Sequence, residues 1–365
     1  MTLETTYLSS RTIIPGQRES SLSQDTAHRS ASEVLGWSRT TIEPVLCAAV
    51  RRLPDSMLHL AGYHLGWWDA IGEPCQAPAG KGIRPALTLL SAQAVGGAPE
   101  VAVGAAVAVE LVHNFSLVHD DVMDADEMRR HRPTTWSVFG VNRAILAGDV
   151  ILAAAFQALA ATGSPACTAT AVDVLAQCVT ELCEGQSADL SFEERNDVDT
   201  GEYLTMVRGK TSALLGASCE LGALLAGGDD QQRKALRDFG EHLGLTFQLI
   251  DDLLGIWVDT AVTGKPAGAD LVRRKQSYPV VNALRAGGPA ATELAERYAQ
   301  PEDFTPEQIT EMTLLLERAG SHEATQRHAQ EQLADALAAL EAVHLDEQAK
   351  SELLVLAELV TRRNS

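Results

Sequence analysis

The sequence predicts an all-α protein, built as a single large helical bundle around a central apolar cavity. Long stretches rich in Ala and Leu carry apolar residues at helical spacing, and no stretch of useful length shows the alternation typical of a strand. No internal repeat is visible. Residues 41–365 are therefore predicted to form one helical domain, although length alone would allow two or three.

Residues 1–40 precede this domain and are rich in Ser, Thr and Arg without sustained periodicity. Such a composition is typical of a disordered or weakly ordered extension. A docking segment around "TIIPG" is the alternative to a plain tail, and the plain tail is favoured. Further along, "IGEPCQAPAG" at 71–80 combines two prolines with two glycines, which predicts a loop.

Two long apolar helices are predicted next. "VAVGAAVAVELVHNFSLVHDDVMD" contains no proline, and its apolar positions fit a buried helix. In "LRDFGEHLGLTFQLIDDLLGIW" one face is apolar at steps of three and four. "TPEQITEMTLLLERAG" and "HEATQRHAQEQLADALAALEAV" are typical of amphipathic surface helices. The apolar face of the second long helix consists of Phe239, Leu243, Phe247, Ile250 and Leu254.

Total composition narrows the classes of function. The formal net charge of -20 argues against a general nucleic-acid binder, because phosphate backbones select for clustered Lys and Arg. A small anionic substrate stays compatible if metal cations or a local basic cluster reverse the field at its site. The six cysteines lack metal-ligand spacing and indicate a reduced, cytosolic protein. We expect no membrane span, because no apolar run approaches about 18 residues, and no secretory signal.

Two clusters of carboxylates stand out. Asp120, Asp121 and Asp124 lie three and four residues apart near the end of the first long helix, so they can share one face. That helix end disfavours negative charge, and like charges at this spacing repel each other. Mg²⁺ takes oxygen ligands and would relieve the repulsion, whereas a solvated acidic helix end is the alternative. Asp251 and Asp252 form a second pair at the end of the other long helix.

Basic residues accompany both acidic clusters. Lys81 and Arg84 in "GKGIRP" are three apart after a Gly-rich loop. Arg129 and Arg130 follow the first cluster, and Lys265 in "TGKPAGAD" follows the second. A polyanionic ligand that is held partly through metal ions and partly through Lys and Arg requires this combination. The sequence therefore predicts that the two acidic helix ends face each other across a cavity.

The order of these motifs resembles the all-trans isoprenyl diphosphate synthases, a family of polyprenyl transferases. "DDVMD" followed by "RR" is similar to the first aspartate-rich motif of that family, and "GKGIRP" is similar to its motif for isopentenyl diphosphate. "ELVHNFSLVHDD", "RGKTSALLGAS", "FQLIDD" and "TGKPAGADL" follow in the family's order. The resemblance covers about residues 45 to 360 and implies a helical bundle of the isoprenoid synthase type.

The resemblance also implies roles for single residues. Lys210 would act in catalysis on the allylic diphosphate, with Thr211 and Gln248 near the developing allylic cation. Core packing for His113 and Gln248, and a helix-surface pair for Lys210 and Thr211, are the alternatives. Several Mg²⁺ ions, three per site, would bridge the allylic diphosphate to Asp120, Asp121, Asp124, Asp251 and Asp252. That diphosphate would also contact Arg129 and Lys265, and isopentenyl diphosphate would contact Lys81, Arg84, His113 and Arg130.

The implied reaction joins isopentenyl diphosphate to an allylic diphosphate by ionisation, attack and proton loss, and the growing chain would lie in an apolar tunnel. Phe115 is about 7.5 Å before Asp120 along the helix axis. A ring there resembles the tunnel floor of shorter-chain members, with ordinary core packing as the alternative. No extra residues separate Asp121 from Asp124, which resembles the geranylgeranyl type. We predict geranylgeranyl diphosphate as product, with farnesyl diphosphate next.

One departure and two rival functions accompany the resemblance. The second acidic motif has Gly255 where the family has a third acid, and the next acid is Asp259. Asp251 can suffice if the first acid does most of the ligation; otherwise one metal binds weakly. A class I terpene cyclase on the same fold is one rival, but Lys81, Arg84 and Arg130 argue against it. A non-catalytic subunit of a heteromeric synthase is the other.

The expected partners are isopentenyl diphosphate and allylic diphosphates, with no nucleic acid and no membrane span. We expect a homodimer in the cytoplasm. Some bacterial members of the family that are packaged in protein shells carry N-terminal extensions. Residues 1–40 resemble such an extension, which implies an encapsulin-like nanocompartment as the alternative location.

Overall fold

Helices make up almost all of the structure. The computed structural model describes residues 28–75, 77, 80–257, 268–300 and 303–361, and it confirms the all-α prediction. A short hairpin pairs β1 (Met128–Arg129) with β2 (Arg132–Pro133) antiparallel. The helices are α1 (Ala31–Val50), α2 (Asp55–His64), α3 (Ile83–Ala94), α4 (Val103–Met123), α5 (Thr135–Phe139), α6 (Val141–Ala160), α7 (Pro165–Glu193), α8 (Thr200–Val207), α9 (Ala213–Leu225), α10 (Asp230–Trp257), α11 (Ala269–Val272), α12 (Tyr278–Arg285), α13 (Gly288–Tyr298), α14 (Pro306–Arg318), α15 (Ser321–Glu341) and α16 (Glu347–Thr361).

Helix α4 lies in the largest apolar core, as its sequence predicts. A 3-10 turn at Pro99–Ala102 leads into the helix, and every residue from Ala105 to Val109 is fully buried. A helix that is apolar all round has to be enclosed on all sides. Its neighbours are α6, α3, α9 and α1. The acidic residues at its end are thereby fixed to a rigid element.

Helix α10 is the second support of the site. It packs against α9 and α15. Four residues of the predicted apolar face, Phe239, Leu243, Ile250 and Leu254, are buried, and Phe247 is half-buried. Helix α9 contacts both α4 and α10. The two helices that carry the acidic clusters are therefore packed on a common neighbour.

The N-terminal boundary differs from the prediction. Helix α1 begins at Ala31, and Ser30 caps it through a capping box with Glu33. Arg29 donates from Nε to Glu352 of α16 at 2.8 Å, and its guanidinium lies 4.0 Å from the Trp37 ring. For residues 31–40 the predicted weakly ordered extension is therefore wrong, because Val34 and Ser38 are buried in the bundle. Residues 1–27 lie outside the described part of the chain.

The other predicted elements agree with the structure where it describes them. Residues 71–75, 77 and 80 form no helix, in agreement with the predicted loop. Helix α14 begins after a capping box of Thr305 and Gln308 and buries one apolar stripe. Helix α15 follows after Gly320, which has a φ of 73° and ends the preceding helix. These are the two amphipathic helices expected near the C-terminus.

Three helical stretches are long and apolar enough to cross a membrane by length and composition. They are Pro99–Met123, Val141–Ala160 and Ala166–Glu193. The sequence argument that no apolar run has the required length is therefore wrong. Within the fold, 72% of the most apolar window of the first stretch is buried, against 39% and 22% for the other two. Core packing accounts for the first stretch, whereas α6 leaves Val141, Ile145 and Leu146 exposed.

Candidate active site

The acidic residues at the end of α4 occupy two environments. Asp121 is buried and accepts a hydrogen bond from Nε of Arg129 at 2.6 Å. Asp120 is half-buried and Asp124 is exposed, and the positive charge of Lys210 lowers the pKa of both carboxyl groups. Arg129 acts on all three carboxylates, but only Asp121 is hydrogen-bonded to it. Asp121 orients an arginine, and the other two face a lysine.

Burial raises the pKa of Asp120 to about 6, and the charges of Asp124 and Asp121 act in the same direction. The charges of Lys210 and Arg129 oppose this rise, and the value of about 6 already includes them. Carboxylates that have lost water and repel each other gain from an added cation. Mg²⁺ fits this donor set, because it binds through one or two carboxylates and completes its shell with water and substrate phosphates. Within the described residues no three acidic, His or Cys side chains already form a metal cage.

Lys210 and Thr211 lie on a π-helix, Arg208–Ser212, inserted between α8 and α9. Two glycines allow α7 to approach it: a Cβ on Gly185 would lie 2.2 Å from the backbone nitrogen of Lys210, and one on Gly209 would lie 2.5 Å from the Glu181 carbonyl. π-helical turns often mark functional sites. Here the turn directs Lys210 to Asp189 of α7, with 2.5 Å between Nζ and Oδ2.

A chain of hydrogen bonds runs from the π-helix into α10. Thr211 donates to Gln248 Oε1 at 3.3 Å, and Gln248 donates from Nε2 to Asp252 Oδ1 at 3.0 Å. Asp252 is fully buried and also accepts from the Tyr203 hydroxyl and from the backbone N–H of Tyr278. Its oxygens are thus already occupied. This carboxylate ties α8, α10 and α12 together, and its role as a metal ligand stays a prediction.

The exposed member of the pair is Asp251. Lys275 lies close to this acidic pair. Its burial disfavours the charged form, but the carboxylates of Asp252, Asp270 and Asp251 outweigh this effect and raise the pKa of Lys275. One turn further along α10, a Cβ on Gly255 would lie 2.4 Å from Asp270 Oδ2. The space that a third acid of the motif would need is therefore filled by a carboxylate from α11. Asp259 and Lys265 lie outside the described residues.

The basic side of the site contains a half-buried arginine side chain without a hydrogen bond among the described residues. The Arg84 side chain makes none among the described residues, and its Nε is fully enclosed. Burial lowers its pKa, while Glu110 nearby opposes this effect. Burial, followed by Arg84 and Arg130, holds the pKa of His113 well below its usual range, so the imidazole is neutral. A neutral donor beside an unpaired guanidinium suits an anion. Lys81 is exposed at the start of this region.

Arg130 is presented by a strained turn. The pairing of Arg129 with Arg132 leaves Arg130 and His131 as a two-residue hairpin loop, with φ values of 51° and 62°. Such a loop requires positive φ at both positions, where Asn and Gly are preferred. Non-glycine residues there cost about 1 kcal/mol or more each. The fold therefore tolerates strain at the point where it presents this arginine.

Phe115 lies on a different face of α4. Its ring is buried and meets the ring of His119 edge-on at 4.8 Å between centroids. His119 in turn lies over Gly148 of α6, where a Cβ would come within 2.2 Å of its Nε2. The aromatic pair thus fills the contact between α4 and α6, below the acidic cluster. A role of Phe115 in product length stays a prediction.

Sequence reasoning missed further polar residues of the site. Gln186 on α7 is buried, and both atoms of its amide lack a partner among the described residues. It is three residues from Asp189, the partner of Lys210. A Gln and an Asp three residues apart in "EGQSADL", on the helix before the "RGKTSALLGAS" motif, were the available signal. Tyr203 and Lys275 gave no such signal in the sequence, because their role depends on the buried charge of Asp252.

Comparison with known proteins places this arrangement in context. A model of the polyprenyl synthetase family matches residues 67–315. A geranylgeranyl diphosphate synthase of Mycobacterium tuberculosis is 44% identical over 330 residues, which cover 90% of this chain and 93% of the relative. A (2E,6E)-farnesyl diphosphate synthase of Mycobacterium bovis is 40% identical over 344 residues, covering 93% and 96%.

Solved structures show the same fold. A polyprenyl synthetase from Streptomyces coelicolor A3(2) superposes with a TM-score of 0.87 at 45% identity, covering 90% of this chain and 99% of that one. A geranylgeranyl pyrophosphate synthase from Corynebacterium glutamicum, complexed with isoprenyl diphosphate and magnesium, gives a TM-score of 0.77 at 27% identity. The superposition covers 92% of this chain and 100% of the corynebacterial chain.

Proposed function

Because the chain belongs to the polyprenyl synthetase family, whose members named above are prenyltransferases, we propose that it makes a short-chain all-trans prenyl diphosphate. Isopentenyl diphosphate is the acceptor and an allylic diphosphate the donor, with geranylgeranyl diphosphate as the favoured product and farnesyl diphosphate next. The observation that carries this proposal is the pairing of two anion positions. One has carboxylates facing Lys210, and the other has the unpaired guanidinium of Arg84.

The carboxylate position is suited to a metal-bound substrate. Asp120, Asp124 and Asp251 would hold Mg²⁺, three ions per site, while Asp121 keeps Arg129 directed at the same diphosphate. Bound Mg²⁺ would supply positive charge against the diphosphate as it leaves. The corynebacterial structure at 27% identity contains magnesium and isoprenyl diphosphate. That relative supports the choice of metal for this chain.

Side chains of the protein would bind the substrates and stabilise the charges that develop during the reaction. Lys210 would move from Asp189 to the leaving diphosphate and stabilise its growing charge. Thr211 and Gln248, already linked by a hydrogen bond, would orient their oxygens towards the allylic cation. Arg84, Arg130 and neutral His113 would hold isopentenyl diphosphate. No described side chain is placed as an obvious base, so the lost proton would go to the departed diphosphate.

The decisive experiment is turnover with each allylic primer. The full chain is incubated with Mg²⁺, isopentenyl diphosphate and dimethylallyl, geranyl or farnesyl diphosphate, and products are identified by mass. We expect elongation that stops at geranylgeranyl diphosphate. Absence of elongation with every primer would reject the proposal. A cyclised hydrocarbon would favour the terpene cyclase, and activity that appears only after a second subunit is added would favour the heteromeric alternative.

We further propose a homodimer in the cytoplasm. Val141, Ile145 and Leu146 expose between 41% and 50% of their surface on α6, a helix that is apolar but little enclosed by the chain itself. A second copy would cover them. All six cysteines are free thiols, which fits a reducing compartment.

A tether to an encapsulin-like shell through the N-terminal extension is the alternative for localisation. Removal of residues 1–27 leaves the bond between Arg29 and Glu352 intact. Turnover should then persist, and co-purification with a shell should be lost. If the shortened chain co-purifies as the full chain does, the tether is wrong.

A further inference from the structure

An ion pair connects the two segments that follow the acidic clusters. Arg273, directly after α11, donates from Nη2 to Asp126 Oδ1 at 3.0 Å, and Asp126 lies just beyond the end of α4. The two residues are 147 positions apart in the sequence. Neither belongs to the predicted site. The pair therefore links the two sides of the active site through residues that have no assigned role.

The turn after α4 fixes the position of Asp126. Its N–H donates to the Asp121 carbonyl at 3.0 Å, and the N–H of Ala125 donates to the Val122 carbonyl at 3.4 Å. Ala125 has a φ of 52°. These bonds form a Schellman motif, in which glycine is the usual residue at the left-handed position. Trp136 Nε1 also donates to the Asp126 carbonyl at 2.9 Å, so the backbone of Asp126 is held relative to the acidic cluster on α4.

The turn after α11 is built in the same way and presents Arg273. The N–H of Lys275 donates to the Asp270 carbonyl at 2.9 Å. The N–H of Arg274 donates to the Leu271 carbonyl at 3.0 Å, and Arg274 has a φ of 53°. This second Schellman motif again lacks glycine at its left-handed position. A non-glycine residue persists in that conformation only where the surrounding structure determines it.

The three basic residues of this turn contact three different parts of the molecule. Lys275 Nζ lies 3.7 Å from Asp252 Oδ1 of α10. Arg274 Nη1 donates to the Tyr298 carbonyl of α13 at 2.8 Å. Arg273 extends to the turn after α4. The turn after α11 therefore ties the end of α10, which carries the second acidic cluster, to the end of α4, which carries the first.

The charges on the two sides of the site also act on a common residue. Burial raises the pKa of Asp124, and the carboxylates of Asp189 and Asp126 raise it further, against the charge of Lys210. Asp189 acts on Lys275 as well, where it favours the charged form against burial. Asp189 of α7 is therefore within electrostatic reach of both sides.

We propose that Asp126 and Arg273 are positioning residues, whose ion pair sets the separation between the end of α4 and the end of α10. With that separation set, a metal-bound diphosphate meets both acidic clusters at once, a consequence that rests on the proposed function. The Arg273 side chain is 63% exposed, and exposed ion pairs contribute little to stability. The pair therefore acts on ligand binding and not on folding.

The first test measures binding without turnover. Pyrophosphate is titrated calorimetrically into the full chain, once with saturating Mg²⁺ and once in excess chelator. Asp126→Ala and Arg273→Ala should each weaken binding with Mg²⁺ about threefold, as expected for an exposed ion pair, and leave binding in chelator unchanged. The double variant should bind no more weakly than either single variant, because both remove the same interaction. Exchange of the two charges, Asp126→Arg with Arg273→Asp, should restore the affinity.

The matched control removes another exposed ion pair. Lys234 and Asp238 are paired at 2.6 Å near the opposite end of α10, and the Lys234 side chain is 74% exposed. Lys234→Ala should bind pyrophosphate as the wild type does. Urea denaturation should give the same midpoint for all these chains, which separates positioning from a loss of fold.

The second test uses turnover. Both single variants should raise the Mg²⁺ concentration for half-maximal rate about threefold, more than they lower the maximal rate. Charge alone would shift this concentration in opposite directions, because Arg273→Ala removes a positive charge and Asp126→Ala a negative one. Opposite shifts, additive losses in the double variant, or values equal to the wild type overturn the proposal. A wild-type chain that binds pyrophosphate with Mg²⁺ but elongates no primer overturns the proposed function instead.

Discussion

Asp251 and Asp252 are neighbours in the sequence but lie in opposite environments. Asp252 is fully buried and bound by Tyr203, Gln248 and the Tyr278 backbone, whereas Asp251 faces solvent. The acidic pair itself was visible in the sequence. Which of the two faces the site depends on the rotation of α10 against its neighbours, and that rotation is set by distant packing. Sequence spacing therefore identified the acidic pair but could not show which of its two carboxylates faces the active site.

The different roles of Asp251 and Asp252 can be tested with two matched substitutions. Asp252→Asn should lower the free energy of unfolding by about 3 kcal/mol, because the buried carboxylate accepts hydrogen bonds from Tyr203, Gln248 and the Tyr278 backbone, and the amide replaces one accepting oxygen with a donor. Asp251→Asn should change stability by less than about 0.5 kcal/mol. It should nevertheless raise the Mg²⁺ concentration needed for half-maximal activity. Urea denaturation and Mg²⁺ titration separate the two effects, and the reverse pattern would assign the metal to Asp252 instead.

His64 should make stability depend on pH. Its pKa lies near 6.5 when unfolded and about 3 in the fold, so the unfolded chain binds the proton more tightly. Stability from this residue is complete above about pH 6.5 and is lost as pH falls towards 3. Between pH 7 and pH 5 the loss should be about 2 kcal/mol. His64→Gln should flatten that slope in denaturation curves, and His344→Gln at the surface should not.

Phe115 is the predicted determinant of product length. Replacement by Ala should open the contact between α4 and α6 and lengthen the product, because the ring fills the space below Asp120. Product chain length by mass spectrometry is the measurement. Phe239→Ala is the control, because Phe239 of α10 packs in another core cluster. This substitution should lower the free energy of unfolding without changing the chain length of the product. An unchanged distribution for Phe115→Ala would leave the ring as ordinary core packing.

At the scale of elements, hydrophobic spacing predicted the long helices well. α10 could be placed because burial of one face leaves a period of 3.6 in the sequence, and α4 because a long apolar stretch without proline indicates an enclosed helix. The π-helix at Arg208–Ser212 could not, because its cause is the approach of α7 rather than any local preference. The first ten residues of the true domain were also missed. α1 is held by Arg29 and Glu352, which are far apart in sequence.

The glycine contact between α7 and the π-helix should be essential for activity. Gly185→Ala places a Cβ 2.2 Å from the Lys210 nitrogen, so one of the two elements must shift. We expect a loss of about 1–3 kcal/mol in stability. The displacement of Lys210 should also lower kcat/KM by more than about tenfold.

Gly36→Ala is the matched control for this substitution. Gly36 lies in α1 with no atom within 4 Å of the added Cβ, and it should be neutral or stabilising by up to about 1 kcal/mol. Urea denaturation and steady-state kinetics measure both variants. Full activity of Gly185→Ala would contradict the proposed role of the contact.

At the scale of the whole molecule, the exposed apolar side of α6 predicts self-association. Leu146→Lys would place a charge in the centre of the proposed interface and should convert the dimer to a monomer. Leu314→Lys on α14 removes an equally exposed leucine and should leave the dimer intact. Light scattering after size exclusion gives the mass of each. A wild-type chain that elutes as a monomer would refute the dimer.

The π-helix also bears on how this chain can tolerate insertions and deletions. One residue more or less in a regular helix rotates everything beyond it by about 100°. Between α8 and α9 the extra residue is already accommodated by the wider turn, and Lys210 lies within it. Deleting one residue at 208–212 would allow a continuous regular helix to form. The phase of α8 relative to α9 would then be nearly unchanged, because the wider turn had absorbed the deleted residue, whereas the side chain of Lys210 would be turned away from its present direction.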